Sequence, residues 1–292
     1  MRSKLDSVRA PAGSAPIGVF DSGVGGLTVL RALRERLPLE HFVYLGDTAR
    51  LPYGTKSAGS IRQYSLQAAR LLRERHVKCL VIACNTASAV ALDALAHEFA
   101  PVPVLGVLEP GAAAACRATR TGRIAVLATE STVRGGAYQL AIARQLPGAV
   151  VTARACPLFV ALAEEGWTDG PIVEGVIHRY LDDVFVKGAD DAHPDTLVLG
   201  CTHFPVLASA LRKVLGDRIA IVDSAATTAD ALAGVLAERG LLRAEGPGAV
   251  TLLATDGPER FARVGAVFLG QPLSPADVEV VDLAFPPAAA GA

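Results

Sequence analysis

Two cysteines follow apolar runs in the same local pattern. The stretches "VIACNTAS" and "VLGCTHFP" place Cys84 and Cys201 after an apolar run and before a polar residue and a helical pattern. In a parallel α/β sheet, side chains at the carboxyl ends of strands line the ligand crevice. The adjoining helix N-terminus favours the reactive thiolate form of a cysteine. A lone cysteine there is most simply a small buried residue, but two at matching positions predict function.

The other cysteines have no such setting, and we predict that Cys79, Cys116 and Cys156 are structural. Five cysteines are an odd number, and the chain has no C-x-x-C pair. The spacing indicates neither a disulfide framework nor a metal site, so we expect reduced thiols.

The stretch "FDSGVGGLTVL" contains a second set of candidates. Asp21 could orient an ammonium group or assist a nearby thiol, and Ser22 could act with it; both residue types are also common helix N-caps. The glycines do not form a dinucleotide loop, because Thr28 stands where the third glycine of G-x-G-x-x-G would fall, and no G-K-[ST] follows.

Several polar residues in loops have two interpretations. Tyr53 and Gly54 lie in "RLPYGTKS", which is typical of a turn but also offers a hydroxyl and an amide to a ligand carboxylate. Asn85, Thr86 and Thr202 follow the two cysteines and suit either helix capping or carboxylate binding.

The sequence pattern alone leaves the roles of two acidic residues and one histidine undecided. His203 comes two residues after Cys201, a spacing that can bring its imidazole to the crevice. Glu164 and Glu165 have the pattern of a solvated helix end.

The elements that must position these residues alternate along the chain. Short runs that are apolar at consecutive positions, such as "IGVF", "FVYLG" and "CLVIAC", are separated by helical patterns. This alternation predicts an α/β fold with mainly parallel sheets flanked by helices. It restarts at "IAVLAT", with helices expected around 138–145 and 171–185, so that the chain has two similar halves.

Composition limits the function further. The chain has 292 residues, 51% hydrophobic and 20% charged, with a formal net charge of -1. These values favour two folded domains and a small-molecule substrate, with no nucleic acid and no membrane as partners. No apolar stretch approaches the ~18 residues of a membrane span, which predicts a cytoplasmic protein. Residues 1–16 are expected to be a disordered tail.

Taken together, the motifs resemble the glutamate racemase family. The resemblance rests on "FDSGVGGLTVL", "GDTARLPYG", "ACNTASA", "VLEPG", "TVRGGAY", "CPLFVALAEEG", "GCTHFP" and "VDSA", in this order from Ile17 to about Ala225. It departs from the family pattern at Ala161, where the family often has proline. The resemblance implies two α/β domains, 17–112 plus 224–292 and 113–223, with the active site in the cleft between them.

Site roles follow from the resemblance position by position. It implies that Cys84 and Cys201 are the catalytic acid-base pair, that Asp21 assists Cys84, and that His203 with Glu164 assists Cys201. Substrate contacts carried over in the same way are Asp21, Ser22, Tyr53, Gly54, Asn85, Thr86, Thr202 and His203. It also implies that the enzyme interconverts L- and D-glutamate and supplies D-glutamate for peptidoglycan synthesis. It implies no cofactor and no metal, and a homodimer is compatible with it.

Racemisation explains why one chain would carry two such cysteines. A proton leaves one face of Cα and another arrives on the opposite face, which requires two acid-base groups on opposite sides of one carbon. Three alternatives remain open: an aspartate or related racemase of the same superfamily, a non-catalytic amino-acid-binding module, and a Cys-His hydrolase. The last two leave the second cysteine unexplained.

Overall fold

The computed structural model describes residues 13–185 and 193–283. Most of the predicted tail, 1–12, lies outside the described residues. Residue 13, which is described, packs at the base of the first sheet, where Lys78 Nζ donates a hydrogen bond to its carbonyl oxygen at 2.8 Å.

The strands form two sheets, and all paired strands in the described part of the chain run parallel. The prediction of parallel α/β sheets is therefore confirmed. The strands are β1 (Ile17–Asp21), β2 (Phe42–Gly46), β3 (Cys79–Ile82), β4 (Val104–Gly106), β5 (Arg123–Ala128), β6 (Val150–Ala155), β7 (Thr196–Gly200), β8 (Ala220–Asp223), β9 (Val250–Ala254) and β10 (Val278–Val280).

Helices cover the faces of both sheets. No helix among the described residues is long and apolar enough to cross a bilayer. The helices are α1 (Leu27–Arg36), α2 (Ala58–Glu74), α3 (Asn85–Phe99), α4 (Leu108–Ala118), α5 (Glu130–Gly135), α6 (Ala137–Gln145), α7 (Pro157–Glu164), α8 (Pro171–Leu181), α9 (Ala208–Leu215), α10 (Ser224–Glu238) and α11 (Pro258–Leu269).

The continuous apolar runs are explained by burial on both sides of each sheet. Val19 and Phe20 are neighbours in β1 and belong to two different hydrophobic clusters, one on each face. In β5, Val126 and Leu127 divide in the same way. Because successive side chains of a strand point to opposite faces, a strand covered on both faces needs apolar residues at every position.

The two sheets share one topology. The first has the order β10-β9-β2-β1-β3-β4 and the second β6-β5-β7-β8. The four-strand unit β2-β1-β3-β4 thus has the same order as β6-β5-β7-β8. Cys84 follows β3 and Cys201 follows β7, so the cysteines occupy equivalent positions in two similar halves.

The strands also separate along the chain as the domain prediction requires. All strands of the six-stranded sheet lie within 17–112 or 224–292, and those of the four-stranded sheet lie within 113–223. Helix α4 crosses the predicted boundary at residue 112. The exact domain limits remain a prediction.

Some predicted elements differ from the observed ones. Helix α8 ends at Leu181, earlier than the predicted end near residue 185, and 186–192 lie outside the described residues. Helix α4 was not predicted. Its buried face nevertheless repeats at helical spacing, with Leu108, Ala112 and Ala115 inside.

Candidate active site

The carboxyl ends of the two sheets face each other, and the predicted site residues lie between them. Contacts that cross this cleft come from the loops and first helical turns that follow the strands. Thr28 Oγ1 is 2.9 Å from the carbonyl oxygen of Thr202, and Thr86 Oγ1 is 2.9 Å from Thr129 Oγ1. The cleft is therefore a crevice at strand carboxyl ends, where α/β proteins bind ligands.

Cys84 caps helix α3 from inside the cleft. It is 5% exposed, and its Sγ accepts a hydrogen bond from the Ala87 amide at 3.4 Å. Sγ also lies 3.5 Å from Ser22 Oγ. The cysteine itself is thus the N-cap of α3, in place of the Asn85 or Thr86 cap that the sequence allowed.

The environment of Cys84 contradicts the expectation that the helix N-terminus lowers its thiol pKa. The pKa of Cys84 is raised to about 12, first by burial and then by the nearby Asp21 carboxylate, while the contacts with Ser22 and the Ala87 amide act in the opposite direction. The helix N-terminus therefore does not produce a low thiol pKa here. Loss of hydration and a neighbouring negative charge outweigh it.

Asp21 ends β1 as a fully buried carboxyl group. Its Oδ2 accepts a hydrogen bond from the Gly23 amide at 2.9 Å, and its Oδ1 has no hydrogen-bond partner. Burial raises the pKa of Asp21, and the charge of His203 opposes that rise. Asp21 does not cap α1, which begins at Leu27 after Gly26. The carboxylate therefore has one oxygen free to accept a donor.

Cys201 lies in a hydrogen-bonded relay. Its Sγ is 3.8 Å from His203 Nδ1, and His203 Nε2 is 3.1 Å from Glu164 Oε1. Glu165 is exposed, so of the two adjoining glutamates only Glu164 reaches the relay. Both ring nitrogens of His203 are thus engaged, one by the thiol and one by the carboxylate.

The relay favours a charged imidazole. Burial would lower the pKa of His203, but the hydrogen bonds with Cys201 and Glu164 raise it to about 10. For Glu164, burial acts to raise the pKa, and the bonds with His203 and Arg260 lower it to about 2. An imidazolium beside Cys201 stabilises negative charge on that sulfur.

The connection from strand to helix after Cys201 differs from the one after Cys84. Helix α3 begins directly after Cys84, whereas Cys201 is followed by a turn and a 3₁₀ helix over Phe204–Leu207 before α9. An α-helix that began directly after Cys201 would need the amide of residue 205 to bond to the Cys201 carbonyl, as the Ser88 amide bonds to that of Cys84. Pro205 has no N–H, which delays the helix. The delay leaves His203 in the turn, where it can reach Cys201.

Asn85 is held by a residue that the sequence did not single out. Tyr138, in α6 of the second half, is buried and donates a hydrogen bond from its hydroxyl to Asn85 Oδ1 at 2.7 Å. Asn85 Nδ2 is buried without a hydrogen-bond partner. Tyr138 therefore orients the amide with its two donor hydrogens free. The "GGAY" motif contained this residue, but nothing local indicated its contact.

Thr86 belongs to a cluster of three hydroxyls across the cleft. Its Oγ1 is 2.9 Å from Thr129 Oγ1 and 3.2 Å from Thr132 Oγ1, and the latter two are 3.1 Å apart. Thr129 and Thr132 follow β5, the strand that corresponds to β1. Sequence reasoning missed both, although their position after a strand was a usable signal.

The predicted turn after β2 is present, and it orients Tyr53 inward. The Tyr53 hydroxyl donates to Asp47 Oδ2 at 2.5 Å and the side chain is fully buried. Gly54 approaches the second half so closely that a Cβ there would lie 2.8 Å from Thr129 Cβ. Because the Tyr53 hydroxyl is already bonded to Asp47, the backbone of this turn is the part available to a ligand.

The remaining cysteines lie outside this arrangement. All five are free, and Cys79 and Cys156 are fully buried while Cys116 is half-buried. Among residues 13–185 and 193–283, no three His, Cys, Asp or Glu side chains are grouped to hold a metal ion.

Two similar parallel α/β units, each presenting a buried cysteine to a shared cleft, define a class of two-domain α/β enzymes. Residues 25–232 match the family model described as Asp/Glu/Hydantoin racemase, and the chain belongs to this family.

Within this family, the chain is similar to individual proteins that are named glutamate racemase. A protein of Geobacter metallireducens named glutamate racemase is 48% identical over 268 residues, which cover 91% of this chain and 96% of that protein. The crystal structure of glutamate racemase from Francisella tularensis in complex with D-glutamate is 36% identical, covers 93% of this chain and 98% of that one, and has a TM-score of 0.84. The Escherichia coli glutamate racemase structure, in complex with L-glutamate and activator UDP-MurNAc-ala, is 31% identical, covers 92% and 99%, and has a TM-score of 0.73.

Proposed function

We propose that this protein is a glutamate racemase that interconverts L- and D-glutamate by proton transfer between Cα and two cysteines, Cys84 and Cys201. The observation that carries the proposal is the pair of buried cysteines at equivalent strand ends on opposite sides of one cleft. The names and bound glutamates of the related enzymes support the choice of substrate. The family resemblance extends the proposal to supply of D-glutamate for peptidoglycan, in the cytoplasm, and is compatible with a homodimer.

The unpaired polar atoms of the cleft suit an amino acid. The free Asp21 Oδ1 is an acceptor for an ammonium group, and the free Asn85 Nδ2 is a donor for a carboxylate. Ser22, Thr86, Thr202 and the turn at Tyr53 and Gly54 supply the remaining predicted contacts. Donors aimed at the α-carboxylate stabilise the negative charge that develops when the Cα proton leaves.

The two sulfurs then carry the proton transfers themselves. A thiolate takes the proton from one face of Cα and becomes a thiol, and the opposite thiol donates its proton to the other face and becomes a thiolate. The high pKa of Cys84 supports a resting enzyme in which this residue is a thiol, and the His203 imidazolium lies beside the opposite sulfur.

The test is racemisation in deuterated water without added pyridoxal phosphate or metal. Purified enzyme should convert each glutamate enantiomer into the other and place deuterium at Cα of the product. Cys84→Ala and Cys201→Ala should each lose racemisation by roughly 10²-fold or more, whereas Cys116→Ala should keep it. Full racemase activity in either Cys84→Ala or Cys201→Ala would contradict the two-base mechanism.

A parallel assay with aspartate addresses the nearest rival. Faster turnover of aspartate than of glutamate would assign the chain to a different racemase of the same family. Glutamate binding without turnover in the wild type would indicate a binding module instead.

A further inference from the structure

Helix α11 belongs to the C-terminal segment beside the first sheet, yet two of its residues reach the relay of the second half. The Phe268 ring is fully buried and meets the His203 ring edge to face, with centroids 5.0 Å apart and an interplanar angle of 73°. Arg260 Nη2 donates a hydrogen bond to Glu164 Oε2 at 2.7 Å. The first half thus contacts the acid-base unit of the second half at two points on one helix.

The two oxygens of Glu164 have separate partners. Oε1 faces His203 Nε2, and Oε2 faces Arg260 across the cleft. A carboxylate held at both oxygens keeps a defined orientation, and a charge-assisted bond to guanidinium is among the stronger ones in proteins. Arg260 therefore determines which way Glu164 presents its other oxygen to the imidazole.

Burial gives this contact more influence than a surface ion pair has. The side chains of His203 and Glu164 are 11% and 16% exposed, so little water competes for them. The Arg260 side chain is 47% exposed. Its charge reaches a largely buried carboxylate from the rim, while its own substitution leaves no cavity in the core.

We propose that Arg260 is a positioning residue for proton transfer at Cys201, acting through Glu164 and His203, with no comparable effect on Cys84. The inference rests on the proposed two-cysteine function. The Cys84 sulfur contacts Ser22 and the Ala87 amide, and the groups of the relay reach it only indirectly, through the charge of His203 near Asp21. The effect of the arginine should therefore be one-sided.

The competing interpretation is a simple tether between the two halves. A tether would hold the cleft closed, and its loss would slow both half-reactions together. Slower proton transfer at Cys201 alone would favour the positioning role over the tether. Rescue by a residue that keeps the positive charge at position 260 would favour it as well.

The experiment measures each half-reaction separately through Cα exchange in deuterated water. In Cys84→Ala the remaining Cys201 can exchange the enantiomer that it faces, and in Cys201→Ala the remaining Cys84 can exchange the other. Adding Arg260→Gln should slow Cys201-driven exchange by about tenfold and change Cys84-driven exchange by less than about twofold. Arg260→Lys should recover part of the loss, and Arg263→Gln, an exposed arginine of the same helix, should have no effect.

A second measurement does not depend on turnover. In protein with both cysteines, Arg260→Gln should slow alkylation of Cys201 by iodoacetamide severalfold and leave Cys84 unchanged, because the His203 ring would be held less firmly beside the Cys201 sulfur. Equal changes at both cysteines, faster reaction of both, or an unchanged Cys201 would overturn the proposal. A wild type that fails to racemise glutamate would contradict the proposed function instead, and the alkylation result would still report on Arg260.

Discussion

The backbone of Gly25 lies directly against the imidazole of His203. A Cβ built at Gly25 would be 2.4 Å from both Nδ1 and Cε1 of that ring and 2.6 Å from Thr202 Oγ1. Residue 25 belongs to the loop after β1 and His203 to the turn after β7. The glycine therefore allows the two halves to meet closely enough for the His203 ring to take its place beside Cys201.

Gly25→Ala should displace His203 and disable the Cys201 side of the reaction. We expect racemase activity to fall by about 10²-fold, since a shift of about 1 Å in a reacting group can cost that much. Gly23→Ala is the matched control, because its Cβ would meet Leu51 Cδ2 at 3.5 Å, an ordinary contact. Steady-state assays of both variants measure this, and equal activity in the two would contradict the role given to the close approach.

Tyr138→Phe should weaken substrate binding more than it slows the chemical step. The substitution removes the hydroxyl that orients Asn85 and leaves Oδ1 without its donor, which costs about 1–3 kcal/mol for a buried group. We expect KM for glutamate to rise several times more than kcat falls, with a lower Tm. Tyr180→Phe, whose hydroxyl accepts from the Leu158 amide at 3.2 Å, should leave KM unchanged. A KM that does not move in Tyr138→Phe would contradict the orienting role.

The Glu164–His203 pair should make stability depend on pH in a defined window. The pKa of Glu164 falls from 4.5 to about 2, so its contribution is complete above pH 4.5 and is lost as the pH drops toward 2. The pKa of His203 rises from 6.5 to about 10, so its contribution is complete below pH 6.5 and is lost as the pH rises toward 10. The pair therefore contributes most between pH 4.5 and 6.5.

Thermal unfolding across pH tests this window. The difference in Tm between wild type and Glu164→Gln should be largest between those two pH values and should shrink on both sides. Glu165→Gln, which changes an exposed neighbour, should show a small difference without that maximum. A difference that keeps growing above pH 8 would contradict the assignment of the imidazolium.

The two catalytic candidates should differ in their reactivity toward alkylating agents. Because the pKa of Cys84 is raised to about 12, its alkylation should be slow at neutral pH and should rise about tenfold per pH unit toward that value. Cys201, beside His203, should react first at pH 7.

Asp21→Asn provides a further check on Cys84. It removes a charge that raises the Cys84 pKa, so the alkylation profile should move to lower pH. Mass spectrometry of peptides resolves the sites, with the fully buried Cys79 as the unreactive reference. A Cys84 that reacts rapidly at pH 7 in the wild type would contradict the high pKa.

Local sequence patterns were sufficient for the parts of this molecule that depend on neighbours along the chain. Runs of consecutive apolar residues predicted parallel strands covered on both faces, because that burial requires apolar side chains on both sides of a strand. Cys84, Cys201 and Asp21 were then predicted as site residues from their positions at strand ends, since a parallel sheet gathers such ends at one edge. The matching order of the two sheets agrees with the similarity of the halves.

Contacts between distant residues were beyond those patterns. Nothing near Arg260 or Tyr138 in the sequence indicates that they meet Glu164 and Asn85, because these contacts form only when the two sheets pack with their carboxyl ends facing. Packing also reversed the expected pKa shift of Cys84: the helix N-terminus is a local feature visible in the sequence, whereas burial and the approach of Asp21 arise from the assembled cleft. Hydration and charge proximity are properties of a three-dimensional environment, so the chemistry of the cysteines follows from the cleft that surrounds them.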